Sequence, residues 1–121
     1  MQDIVTKTAE MSGGKAEIIY NIGYPVTVND PALTDRMVGT LKRVAGAENV
    51  RVGALTGTSE DFSHYQMKVP GLFFFLGVTP KDRDPKTAPT NHSPLFFADE
   101  SALPVGVRTL TNLALDFMFG K

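Results

Sequence analysis

Leu72-Phe73-Phe74-Phe75-Leu76-Gly77-Val78, entered from Val69-Pro70-Gly71, is the stretch on which the fold turns. It is too short for a helix between such breakers and is rich in aromatic residues, so it reads as a strand buried on both faces at the centre of a sheet. Upstream, Ser59 is placed to cap a helix with Glu60 and Asp61 in its first turn, where the dipole favours negative charge. That helix stops near Val69-Pro70-Gly71. Gly53 to Thr58 reads as loop and Asn49 to Val52 as a short strand.

Further upstream, Val28-Asn29-Asp30-Pro31 offers an Asn or Asp cap with proline in the first turn. Leu33, Met37, Leu41 and Val44 then form one apolar stripe up to Gly46. Ala16, Ile18, Tyr20, Ile22 and Tyr24 alternate with Glu17, Asn21 and Gly23, with one exception at Ile19, which predicts a half-buried strand ended by Pro25. Residues 2–11 predict a short helix before Gly13-Gly14. Downstream, residues 79–97 with Pro80, Pro85, Pro89 and Pro94 predict a long irregular loop, a length that points to function or disorder. A last helix starts near Ser101, tolerates Pro104 in its first turn, and carries Leu103, Val107, Leu110, Ala114 and Phe117 to Gly120. The alternation predicts an α/β layered fold with a parallel or mixed sheet. Two or three strands are few for so many helices, a hint that partner strands lie elsewhere.

Composition narrows the function. With 42% hydrophobic residues and 8 Phe in 121 residues, the chain has enough apolar side chains for a core. Twelve basic and thirteen acidic residues, for a net charge of -1, leave no block of like charge to follow phosphates, so nucleic acid is not an expected partner. The apolar run is far below the roughly 20 residues of a membrane helix, and Met1 to Ala9 lack the basic-then-apolar pattern of a signal peptide. A soluble, cytoplasmic protein without membrane association is the expectation. The absence of cysteine removes disulfides, thiolate nucleophiles and thiolate zinc sites, and His64 and His92 are the only imidazoles.

His92 lies in Thr90-Asn91-His92-Ser93-Pro94, beyond the carboxyl end of the apolar strand, where ligand sites of α/β sheets collect. By position alone a surface loop histidine is the favoured reading over a metal ligand. Ser59, Glu60 and Asp61 have a sufficient explanation as a helix start, although hydroxyls and amides there also suit an anionic substrate or the orientation of a metal ligand. His64, four residues beyond Glu60, is expected to pair with that carboxylate. No Gly-x-Ser-x-Gly elbow, phosphate loop or His-Glu-x-x-His helix is present.

Three blocks taken together resemble one family. They are Gly23-Tyr24-Pro25-Val26-Thr27-Val28-Asn29-Asp30; Ser59-Glu60-Asp61-Phe62-Ser63 through Val69-Pro70-Gly71 to Gly77; and His92-Ser93-Pro94 followed by Asp99-Glu100 and Ala102-Leu103-Pro104-Val105-Gly106. In order and spacing they resemble the C-terminal part of the aminoacylase, hippurate-hydrolase and auxin-conjugate hydrolase group of di-metal exopeptidases, metallopeptidase family twenty. The resemblance implies an α/β catalytic domain with a mixed sheet, interrupted by an inserted ferredoxin-like lid used for dimerisation. Residues 1–28 would be the tail of that lid, and residues 29–121 the C-terminal part of the catalytic domain.

By the match of the His-Ser-Pro block, the resemblance makes His92 a ligand to one of two divalent metals: zinc, manganese, cobalt or nickel. Ser59, Glu60 and Asp61 become candidates for contacting substrate or orienting a ligand. The implied reaction is hydrolysis of the amide bond of an N-acyl amino acid or small peptide by a homo-oligomeric enzyme. The family's other metal ligands and its general base belong to motifs absent here, such as an adjacent pair of glutamates, so the chain is expected to be an inactive C-terminal fragment that holds no metal tightly. A non-catalytic truncated module that associates with another chain is the alternative. Two departures stand out: Leu95-Phe96-Phe97-Ala98-Asp99-Glu100 where the family tends to a Phe-Asp-Phe-Asp-Glu-like run, and a charged segment from Lys81 to Ala88 that reads as a solvated loop or as a specificity or dimer element. Uncovered faces at Leu33, Met37, Leu41 and Phe73 to Phe75 predict self-association.

Overall fold

The structure, a computed structural model, describes residues 1–21 and 23–120. Among the described residues there are four α-helices, α1 (Gln2–Met11), α2 (Pro31–Ala45), α3 (Phe62–Gln66) and α4 (Leu103–Phe119), with 3-10 turns at Ala47–Asn49 and Glu100–Ala102. α2 begins as its sequence dictates. Asp30 adopts an extended conformation and its Oδ1 accepts the Leu33 N–H at 2.8 Å, while Pro31 occupies the first turn without leaving an unmet donor. It ends at Gly46, whose φ of 88° is open to glycine at no steric cost. α4 ends at Gly120, also left-handed, whose N–H returns to Asp116 O.

The helices α2 and α4 pack against each other, and their contact is polar. Thr40 Oγ1 donates to Asp116 Oδ2 at 2.6 Å, Arg43 Nη2 meets the same oxygen at 2.6 Å, and Arg43 Nη1 donates to Asn112 at 3.1 Å. Arg36 donates to Phe117 O and lies over the Phe117 ring. Thr40, Thr109 and Asp116 are buried in this seam. The apolar stripe predicted on α4 faces largely the other way: Leu103, Val107, Leu110 and Phe117 are 50–66% exposed. Apolar contact is concentrated in an open groove of about 200 Å³, where Met37 and Leu33 of α2 and Leu110, Leu113 and Phe117 of α4 meet Leu72 and Phe74. Met37, 2% exposed, is the buried apolar side chain among the described residues.

The sheet expectation is corrected here. Among the described residues there is no strand in a ladder. Asn49 ends the 3-10 turn Ala47–Asn49, and residues 50–52 follow it without a ladder partner. The 16–24 segment is unpaired where described; Ile22, on which part of its alternation rests, lies outside the described residues, as does Lys121 at the end of the expected catalytic segment. Residues 72–78 are unpaired too, yet they keep the face pattern of a strand. Leu72 and Phe74 turn to the α2/α4 groove and Leu76 reaches Gly106 of α4, whereas Phe73 stacks on Phe62 of α3 at 5.7 Å. The physical reason is that a strand requires a neighbour about 4.8 Å away to satisfy its backbone, and no described segment lies alongside.

One side-chain pair replaces part of that neighbour. Asn29 Nδ2 donates to Phe73 O at 2.8 Å and Asn29 Oδ1 accepts the Phe73 N–H at 2.7 Å, as a facing strand residue would. Asp30 N–H adds a bond to Gly71 O at 3.0 Å. Gln66 of α3 completes the junction, accepting Val28 N–H at 2.9 Å and reaching Asn29 and Gly71 with its amide nitrogen.

Candidate functional site

The loop carrying His92 is closed at its base. Asp99 N–H donates to Val78 O at 2.8 Å, so the end of the extended run and the start of the last helical unit are held together. Asp99 then caps that unit, accepting Ser101 N–H at 2.9 Å. Hydrogen bonds from the Ser101 hydroxyl and amide, with the Lys81 charge, hold the Asp99 carboxyl below its ordinary pKa. Asp99 thus serves as an anchor of the loop, a role its place in the sequence did not reveal.

His92 sits in a turn at the far part of the loop, with Ser93 N–H bonded to Thr90 O at 2.9 Å, Phe96 N–H to Ser93 O at 3.0 Å, and Ser93 Oγ accepting Leu95 N–H at 3.2 Å. These bonds fix the backbone and leave the imidazole exposed. The charged part of the loop is exposed as well; Asp84 caps its own turn there by accepting Lys86 N–H.

Ser59, Glu60 and Asp61 lie on the other side of the apolar run in sequence. The helix starts later than expected: α3 begins at Phe62 with Asp61 before it, Asp61 makes no side-chain cap, and Ser59 is exposed and outside the helix. The reason is that Glu60 supplies the first acceptors, its carbonyl taking Ser63 N–H and Oγ–H and its Oε1 taking Phe62 N–H at 3.3 Å. Hydrogen bonding with Asp61 and its charge, with the charge of Glu60, raise the Tyr24 phenol above its ordinary pKa. His64 is not paired with Glu60 as the i, i+4 spacing suggested; its ring meets Tyr24 edge-on at 5.4 Å. Among the described residues no hydrogen bond or ion pair joins His92 to Ser59, Glu60 or Asp61.

Among the described residues there is also no group of three or more His, Asp or Glu side chains placed to hold a metal ion. A catalytic zinc takes three protein ligands, so these residues do not fit a complete metal centre, and His92 offers one imidazole. No described helix is long and apolar enough to cross a membrane.

The sequence matches the model of peptidase family M20/M25/M40 over residues 3–116, and the chain belongs to that family. It is 34% identical over 118 residues to thermostable carboxypeptidase 2 of Saccharolobus solfataricus, 97% of this chain and 29% of that protein. It is 40% identical over 96 residues to IAA-amino acid hydrolase ILR1-like 4 of Arabidopsis thaliana, 78% of this chain and 21% of that protein. YhaA of Bacillus subtilis, provisionally named an amidohydrolase, is 32% identical over 117 residues, 97% of this chain and 29% of its own length. The chain therefore spans less than a third of these curated relatives. No solved structure is a significant match. The family is one of metal-dependent amidohydrolases and carboxypeptidases that use divalent ions.

Proposed function

We propose that this chain is the C-terminal part of a divalent-metal amidohydrolase that cleaves the amide bond of N-acyl amino acids or small peptides, and that it supplies one metal ligand, His92. The observation that carries the reading is the His92 turn: its backbone is fixed by the 90–96 hydrogen bonds, its base is closed by Val78 and Asp99, and its side chain is exposed. The relatives' names, carboxypeptidase and amino acid hydrolase, support the substrate class. In this reading residues 1–28 belong to a lid used for homo-oligomerisation and residues 29–121 to the catalytic domain, where the 72–78 run joins a mixed sheet. Ser59, Glu60 and Asp61 border the substrate or orient a ligand. The remaining ligands and the base that deprotonates water come from outside these residues, so the chain alone turns over no substrate.

Manganese titration followed by proton NMR tests this directly. Paramagnetic broadening is expected at the His92 ring and to vanish in His92→Ala, with no hydrolysis of N-acetyl amino acids by the chain. Broadening centred on His64, Glu60 and Asp61, with His92 sharp, would sink the assignment; turnover by the chain would sink the claim that its site is incomplete. A second reading, a non-catalytic module that docks on another chain, is favoured by the exposed apolar stripe of α4.

A further inference from the structure

Residues 24–30 carry the chain from the 16–24 segment to α2, and they are tied down along their whole length to α3 and the turn after it. At the near end the Tyr24 ring meets the His64 ring edge-on at 5.4 Å, and the Tyr24 phenol is hydrogen bonded with Asp61. Asp61 and His64 are three residues apart and so share one side of α3. At the far end Val28 N–H donates to Gln66 Oε1 at 2.9 Å, Gln66 Nε2 donates to Asn29 Oδ1 at 3.3 Å, and Asp30 N–H donates to Gly71 O at 3.0 Å. Between these ties Pro25 has its φ fixed by the ring, and Thr27 Oγ1 is shut off from solvent.

Two features keep the ties from yielding. The Asp61 carboxylate makes no cap for α3, because Glu60 takes the first N–H groups, and this leaves it to Tyr24. Gln66 is seated against Gly71 so closely that a Cβ there would lie 2.7 Å from its Cγ, so its amide cannot swing away from Val28. A segment held at one point pivots about it; one held at both ends, with a proline between, does not. We propose that residues 24–30 form a rigid joint, clamped to α3 by Tyr24 and Gln66, so that residues 24–28 move as one body with residues 29–121 and any change in the angle of the preceding lid takes place before Tyr24. The lid rests on the function proposed above; the clamp rests on these contacts.

Backbone order parameters from nitrogen-15 relaxation of the 121-residue chain decide it. The amides of Val26, Thr27 and Val28 are expected at the level of α2, about 0.85. Tyr24→Ala combined with Gln66→Ala should lower them to below about 0.6 while α2 and α4 keep theirs, and each single variant should give part of the loss. Values below about 0.6 at residues 26–28 in the wild type overturn the joint. So does a double variant that leaves them at the wild-type level, or a loss spread equally over α2 and α4, which would make the two side chains general supports of the fold. The manganese titration separates the two readings: broadening at His92 in a chain whose residues 26–28 are loose keeps the metal assignment and removes the joint, whereas ordered residues 26–28 without broadening at His92 do the reverse.

Discussion

Asn29 is bonded to Phe73 through both ends of its amide, at 2.8 Å to the carbonyl and 2.7 Å to the N–H. A side chain here does what a neighbouring strand does elsewhere, and it does so across 44 residues of sequence. The loop before α2 is thereby fastened to the apolar run.

Asn29→Ala removes both bonds and leaves Phe73 with an unmet donor and acceptor. The expected loss is about 2 kcal/mol, from roughly 1 kcal/mol per part-buried bond. Asn29→Asp keeps the acceptor and loses the donor, so it should fall between. Urea midpoints of the three proteins give the order, and equal midpoints would remove Asn29 from the junction.

Asp116 joins the two long helices through Thr40 and Arg43. Its side chain is 10% exposed and that of Arg43 54%, so solvent screens the ion pair and the buried hydroxyl bond carries more of the effect than charge alone suggests. Thr40→Val should cost about 1 kcal/mol and Asp116→Ala about 2 kcal/mol. A double-mutant cycle is expected to show coupling between the two; strict additivity would deny the contact.

Gly71 has no room for a methyl group. A Cβ there would lie 2.7 Å from Gln66 Cγ and 3.1 Å from the Phe62 ring. Gln66 has little freedom to retreat because its amide holds Val28, Asn29 and Gly71. Gly71→Ala should cost about 1–3 kcal/mol by overpacking, read as a lowered thermal midpoint, with Gln66→Ala/Gly71→Ala recovering part of it. No recovery would show that the clash lies elsewhere.

The Asp99 cap carries a pH signature. Its carboxyl is lowered in the folded chain by the Ser101 bonds and by Lys81, so its contribution is present above the unfolded carboxylate value and is lost as pH falls through the folded one. In an NMR titration the Ser101 amide should move with a midpoint below the ordinary carboxylate range, and stay flat in Asp99→Asn. A midpoint at or above that range contradicts the cap.

Much of this protein is written locally. Asp30 before Pro31, Gly46, Gly13-Gly14 and Gly120 set the ends of α1, α2 and α4 within a residue or two, because caps and left-handed glycines act over single turns. The family blocks were legible for the same reason, being contiguous runs. α3 starts at Phe62 rather than Ser59, with Glu60 taking the first N–H groups, and His64 meets Tyr24, 40 residues away in sequence, a contact that no i, i+4 spacing reports.

By itself, then, the sequence determined the ends of α1, α2 and α4, the apolar run Leu72 to Val78, and the family. Only the tertiary structure decided that α2 and α4 meet through Thr40, Arg43 and Asp116 while Leu103, Val107 and Leu110 stay exposed, that Asn29 stands in for a strand, and that Asp99 closes the His92 loop. Helical periodicity reports which side chains share a face; which face is covered is set by partners distant in sequence, and their positions are not encoded in any local pattern.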